Sequence, residues 1–269
     1  FINVMLNNLD DDISDNSQFD TFHFKEAKST RNVMATLVAC SIIGLHVILI
    51  GKTGLGKTAA AMAFSRTNKL RPKILSPHII SFSGETQLDE LYGYFTIEKG
   101  NFSHHQGQLS QAMSEGQVFI ADELNLADSQ IIQSLNVAIE PSRGENIILP
   151  VTGTSLTINE GFFFIGCQND LTMNGRRPIP ESIKRKILCI EYPEPTKEDL
   201  ITLCSSIANQ FNLDSQIAIC TATLVEAIRR DMTIKSWSLR EVRIIYKRIE
   251  FTKELNLLDS HQFIILLLC

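Results

Sequence analysis

An apolar run, His46-Val-Ile-Leu-Ile50, leads directly into Gly51-Lys-Thr-Gly-Leu-Gly56-Lys57-Thr58, and an alanine-rich stretch, Ala59 to Phe64, follows. A strand that turns through this octet into a helix constrains the fold more than any other segment. It is the G-x-x-x-x-G-K-[ST] spacing of a phosphate loop in its strand–loop–helix setting. The glycines let backbone N–H groups turn inward around phosphate oxygens, where a side chain would clash. The helix beginning near Lys57 adds its positive dipole end. Lys57 reaches β- and γ-phosphates, and Thr58 places its hydroxyl on Mg²⁺. The cofactor-binding candidates are therefore Gly51, Lys52, Thr53, Gly54, Leu55, Gly56, Lys57 and Thr58. The alternative, a glycine-rich turn that holds no ligand, fits poorly once strand and helix both flank the loop.

A second segment supplies carboxylates. Gln117-Val-Phe-Ile-Ala-Asp122-Glu123 is an apolar strand ending in two acids. Side chains alternate in direction along a strand, so the two acids are expected to serve different purposes. Asp122 is placed to hold Mg²⁺, directly or through water, and Glu123 to orient and deprotonate the attacking water. Alone, such a pair is a solvated turn; beside a phosphate loop it makes a hydrolytic site. Because the chain lacks an N-K-x-D guanine-reading segment, the expected ligands are ATP and Mg²⁺.

The remaining composition excludes several classes. The net charge is −5 over 269 residues, so no global basic field points to nucleic acid. The six cysteines (Cys40, Cys167, Cys189, Cys204, Cys220, Cys269) show no C-x-x-C or metal spacing. Most fall in apolar runs, which predicts reduced, buried thiols in an intracellular protein. His104-His105 falls in an expected hairpin or loop, where a plain surface role outweighs metal binding. There is no secretory signal and no apolar run long enough to span a bilayer. Phe1 at the start and the apolar Phe263-Ile-Ile-Leu-Leu-Leu268 at the end suggest a piece of a longer polypeptide.

Along the chain, residues 1–28 carry the acidic run Asp10-Asp11-Asp12 and read as a linker or arm. A helical stripe runs from Arg31 to Ile43. Five strand candidates follow, at Val47–Ile50, Ile79–Phe82, Val118–Ala121, Phe162–Cys167 and Ile187–Ile190, with helical segments such as Asp128–Ile139 between several of them. That alternation predicts an α/β fold with a mostly parallel five-stranded sheet flanked by helices. Thr96–Gly107 reads as a β-hairpin turning at Lys99-Gly100, and Asn146–Thr157 as a second one hinging near Gly153. After Pro193 and Pro195 only helices are expected: Lys197–Phe211, Ile217–Arg230 and Leu239–Phe251. The domain expectation is an α/β core over 29–193 and a small, truncated helical lid over 194–269.

At Asp122-Glu-Leu-Asn-Leu-Ala127 the chain resembles the AAA+ ATPases of the midasin/dynein-related (MoxR-like) group, and its midasin branch most closely. Other segments carry the likeness along Lys28–Phe251. Thr30-Arg31-Asn32 resembles the lead into that group's first helix. Asp89-Glu-Leu-Tyr-Gly93 and Gln106-Gly-Gln-Leu109 frame its helix-2 insert, and Ser134-Leu-Asn-Val137 follows the acidic motif at the group's spacing. Ile165-Gly-Cys-Gln-Asn169 resembles the sensor-1 strand and Ser238-Leu-Arg240-Glu241 the sensor-2 segment.

The resemblance implies that Asn169 senses the γ-phosphate and positions the water; the alternative is a turn-capping Asn. It implies that Arg240 reaches back to the phosphates from a lid helix; the alternative is a solvated helix-start Arg. The group's arginine finger precedes an aromatic, whereas this chain has Glu181-Ser-Ile-Lys-Arg185-Lys186-Ile187. Strict register gives Lys186; the guanidinium of Arg185 suits a developing phosphate charge better. With Arg176 and Arg177, these charges alternatively form a solvated face or a weak nucleic-acid patch. The resemblance further implies neighbouring AAA+ modules in a ring and nuclear remodelling of pre-60S ribosomal particles; from charge and apolar run length, no membrane and no direct nucleic-acid contact are expected. A MoxR-like chaperone and a non-hydrolysing ATP-binding scaffold are the competing readings.

Overall fold

The apolar runs become strands in a computed structural model that describes residues 27–67, 77–98, 101–169, 178–230 and 239–254. The first half holds α1 (Lys28–Ile43), β1 (Val47–Ile50), α2 (Lys57–Thr67), β2 (His78–Ser81), α3 (Leu88–Tyr92), β3 (Tyr94–Glu98), β4 (Asn101–His105) and α4 (Gln108–Glu115). Next come β5 (Val118–Asp122), a 3₁₀ turn (Leu124–Leu126), α5 (Ser129–Ser134), α6 (Asn136–Ile139), β6 (Asn146–Ile148) and β7 (Ser155–Thr157). The chain continues through β8 (Phe163–Gln168), α7 (Glu181–Lys184), β9 (Leu188–Glu191), α8 (Lys197–Gln210), α9 (Ser215–Arg230) and α10 (Leu239–Glu254).

Among the described residues these form two compact units. One comprises the described residues of 36–52 and 57–192; the other comprises those of 27–35, 53–56 and 193–254. The first unit is built on a five-stranded sheet in the order β2-β5-β8-β1-β9, parallel throughout. All five predicted strands take part. The chain leaves β1 for the far edge at β2, returns through β5 and β8, and closes with β9 on the other side of β1. Every residue of β8 is buried, as are Val47, Ile48 and Leu49 of β1. Unbroken apolar runs of this kind are what a parallel sheet covered on both faces requires.

Register sets up the site. Ile50 lies opposite Gln168, and Ser81 opposite Asp122. The carboxyl ends of β1, β5 and β8 therefore share one edge. Gly166 in β8 leaves room above the sheet. A Cβ there would stand 2.9 Å from Leu124 Cδ2 and 3.0 Å from Ile48 Cγ1, so its absence lets the 3₁₀ turn settle onto β8.

The β3–β4 hairpin pairs Tyr94 with His105 and Glu98 with Asn101, two residues earlier than Thr96–Gly107 predicted. The cause lies at its base. A Cβ on Gly93 would come 2.1 Å from His105 O, and one on Gly107 2.4 Å from the Leu91 carbonyl carbon. This close backbone approach brings both strand ends together below the expected start. The turn at Lys99-Gly100 lies outside the described residues. β6 and β7 pair antiparallel as expected, with Gly153 (φ 66) between them.

Not every thiol is buried. Cys40, Cys167 and Cys204 are, but Cys189 is exposed because β9 is an edge strand. In the second unit, Thr196 and Asp199 form a reciprocal capping box that starts α8. Leu200, Cys204, Ile217, Val225, Val242 and Tyr246 belong to its core. Among the described residues no helix is long and apolar enough to cross a membrane.

Candidate active site

Where β1 ends, Gly51 N donates to Gln168 O at 3.3 Å, so the chain enters the loop beside the end of β8. Gly54 (φ 81) and Gly56 (φ 91) take left-handed backbone, which a side chain would strain. Helix α2 then opens on Lys57, only 6% exposed. Its ammonium donates to Gly51 O at 2.8 Å, Lys52 O at 2.7 Å and Asn169 Oδ1 at 2.8 Å. An ammonium carries three hydrogens, and these three acceptors account for them. Thr58 donates from Oγ1 to Asp122 Oδ1 at 2.8 Å.

Asp122 is the last residue of β5. Glu123 leaves the strand in left-handed backbone (φ 51, ψ 37). The two carboxylates meet different partners, Thr58 for Asp122 and Asn169 for Glu123, and Glu123 stands outside the strand to which the expected alternation applies. Left-handed backbone costs a non-glycine residue about 1–2 kcal/mol, held here by the 3₁₀ turn, where Leu126 N donates to Glu123 O at 2.9 Å. Glu123 Oε1 accepts from Asn169 Nδ2 at 2.5 Å. Asn169, 5% exposed and just beyond β8, thus bridges the loop lysine and the turn carboxylate with the two ends of one amide.

The nearest thiol stays neutral. Burial pushes Cys167 well above the ordinary range, and the charge of Asp122 pushes it the same way. Tyr192 is likewise raised by burial, then by Cys167. Neither supplies an anionic nucleophile at neutral pH.

The structure brings together Lys57, Thr58, Asp122, Glu123 and Asn169. It does not bring the two finger candidates to them. Leu188 pairs with Val47 at the amino end of β1, so Arg185 and Lys186, just before β9, stand at the opposite edge of the sheet. Lys186 Nζ donates to Glu140 Oε2 at 2.8 Å and to Asn136 Oδ1 at 3.1 Å. Arg185 is exposed, and its charge adds to that of Lys184 in lowering the Glu181 carboxyl. Arg240 is the second residue of α10, with its side chain outside the described set; Arg176 and Arg177 lie outside it altogether.

Sequence reasoning passed over Asn125. It is fully buried and donates from Nδ2 to Asn169 O at 2.9 Å. The only signal for it was its place within the Asp122–Ala127 block.

A phosphate loop, a strand-end acid pair and a polar residue closing the neighbouring strand define a P-loop ATPase core. A family profile described as "AAA domain (dynein-related subfamily)" matches residues 46–187, and the chain belongs to this AAA+ family, within the midasin/dynein-related group. It is 25% identical over 209 residues to midasin of Giardia intestinalis, covering 77% of this chain and 4% of that protein. It is 26% identical over 223 residues to the uncharacterised protein YojN of Bacillus subtilis, covering 80% of this chain and 70% of YojN. Among solved structures, RuvB of Thermotoga maritima superposes with a TM-score of 0.55 at 15% identity, over 88% of this chain and 66% of RuvB. That last likeness concerns the fold.

Proposed function

We propose that this chain is an ATP-hydrolysing AAA+ module whose turnover drives mechanical remodelling of a macromolecular complex. The observation that carries the reading is the Asn169 bridge between Lys57 and Glu123, set beside the Thr58–Asp122 pair. The residues suit ATP and Mg²⁺. A hydroxyl and a carboxylate 2.8 Å apart are the hard oxygens Mg²⁺ prefers, and the left-handed glycines leave room for phosphate oxygens. Lys57 is the side-chain counter-charge for the β- and γ-phosphates, exchanging its present acceptors for them. Thr58 and Asp122 would hold Mg²⁺, which would supply neutralisation of phosphate charge. Glu123 takes the proton of the attacking water, and Asn169 orients that water against the γ-phosphate.

Arg240 is proposed to reach the phosphates from α10. The position of Arg185 and Lys186 at the far sheet edge supports a finger acting on a neighbouring module, as in a ring. Of the two, Arg185 is the better candidate, because Lys186 is engaged by Glu140 and Asn136. Similarity to midasin supports a nuclear role in pre-60S ribosome assembly. A second reading is a MoxR-like AAA+ chaperone; the chain spans 70% of the uncharacterised YojN and 4% of midasin.

Titration with a fluorescent ATP analogue tests the core of the proposal. Lys57→Ala should abolish binding while the thermal transition is retained. Unchanged affinity would remove the nucleotide site.

A further inference from the structure

Asn169 stands just past the end of its strand. The pairing of β8 with β1 ends at Gln168, and that with β5 ends at Gly166. The sheet ladder therefore gives the Asn169 carbonyl no strand partner. Asn125 supplies a donor instead, its Nδ2 lying 2.9 Å from Asn169 O, and its residue is fully buried. The same short turn holds both ends of the arrangement. Glu123 opens it and accepts from the Asn169 side chain, while Asn125, two residues on, grips the Asn169 backbone. Leu124 between them is seated over Gly166.

Two attachment points do what one cannot. Side-chain bonds to Lys57 and Glu123 hold the Asn169 amide but leave its backbone free to shift. Fixing its carbonyl and its amide to one rigid turn sets the direction of the amide relative to the Glu123 carboxylate. We propose that Asn125 is a positioning residue for hydrolysis: its amide holds Asn169 in the orientation that serves Glu123, without touching nucleotide. The proposal rests on the ATP-hydrolysis reading above. It requires that loss of the Asn125 donor lowers turnover and leaves nucleotide affinity alone. Aspartate at this place keeps the shape, removes the donor, and sets a carboxylate against a carbonyl oxygen.

The test is a double-mutant cycle between Asn125→Ala and Asn169→Ala. Phosphate release and Mg²⁺–ATP affinity are measured on both single variants, the pair and the parent chain. Loss of one buried hydrogen bond that orients a reacting group predicts about a tenfold fall in kcat for Asn125→Ala, with affinity within about threefold. In the Asn169→Ala background the same substitution should change kcat less than about twofold: the backbone carbonyl that Asn125 holds is still there, but the side-chain amide it orients is gone. Full additivity, or an unchanged kcat in Asn125→Ala, overturns the proposal and marks Asn125 as a structural cap. If the alanine variant loses its folding transition, Asn125→Asp carries the same required split between kcat and affinity. Failure of the hydrolysis reading looks different: the parent chain and Glu123→Gln would then release phosphate equally, and the positioning role falls with it.

Discussion

Replacing Asn169 by alanine removes both ends of the bridge at once. The Glu123 carboxylate loses a donor at 2.5 Å, and the Lys57 ammonium loses an acceptor at 2.8 Å. The consequences differ in size. Lys57 keeps Gly51 O and Lys52 O at 2.8 and 2.7 Å, so it remains in place and is less firmly held away from phosphate. Nucleotide affinity should therefore stay within about threefold, or tighten, on the scale of one modest hydrogen bond. Glu123 fares worse. Hydrogen bonds to charged groups contribute about 1.5–3 kcal/mol, and removing a preorganised polar group beside reacting atoms costs about 10²–10³ in kcat. Asn169→Ala should accordingly bind Mg²⁺–ATP and release phosphate about 10²–10³ times more slowly. Single-turnover phosphate release, run beside a binding titration, separates the two effects. A rate within about threefold of the parent would refute the role given to the bridge and leave Asn169 a turn-capping residue.

Two further predictions concern other parts of the molecule. Burial, then the charge of Arg143, lowers the pKa of His46 from 6.5 to about 4, partly offset by a hydrogen bond to the Ala138 backbone. The unfolded chain takes up a proton below pH 6.5 that the folded chain refuses, so stability present above pH 6.5 is lost as the pH falls toward 4, by up to about 3 kcal/mol. Urea midpoints for the parent and His46→Asn should converge over that window; parallel pH profiles would contradict it. For assembly, a Lys57→Ala chain mixed with an Arg185→Ala, Lys186→Ala chain should recover hydrolysis once associated, since fingers acting in trans contribute about 10³–10⁵ in rate. No recovery despite demonstrated association would make the basic pair a solvated face.

The five core strands were legible because a parallel sheet buried on both faces leaves unbroken apolar runs, and β8 is the clearest case. Lys57, Thr58 and Asp122 were placed by spacing alone, since a phosphate loop and a strand-end acid are local patterns. Strand alternation does not reach Glu123, which lies beyond the strand in left-handed backbone, a conformation that composition does not announce. The Asn169 bridge to Lys57 joins residues 112 positions apart and depends on which strands become neighbours. Asn125 was hidden for a similar reason: its partner is a backbone carbonyl, and carbonyls carry no sequence signal. The hairpin start was misjudged because the contact of Gly93 and Gly107 with opposing backbone is a matter of close approach. Likewise, Cys189 is exposed by the edge position of β9, which follows from strand order.

The central claim is that this site hydrolyses ATP with Glu123 as base. Its most direct test compares the parent chain with Glu123→Gln at equal nucleotide occupancy, following phosphate release in the presence of Mg²⁺. Glutamine keeps the shape and can still meet Asn169, but it accepts no proton from water. The account predicts that Glu123→Gln binds Mg²⁺–ATP with unchanged affinity and holds it unhydrolysed while the parent chain turns it over. Equal rates of phosphate release from the two proteins would contradict it.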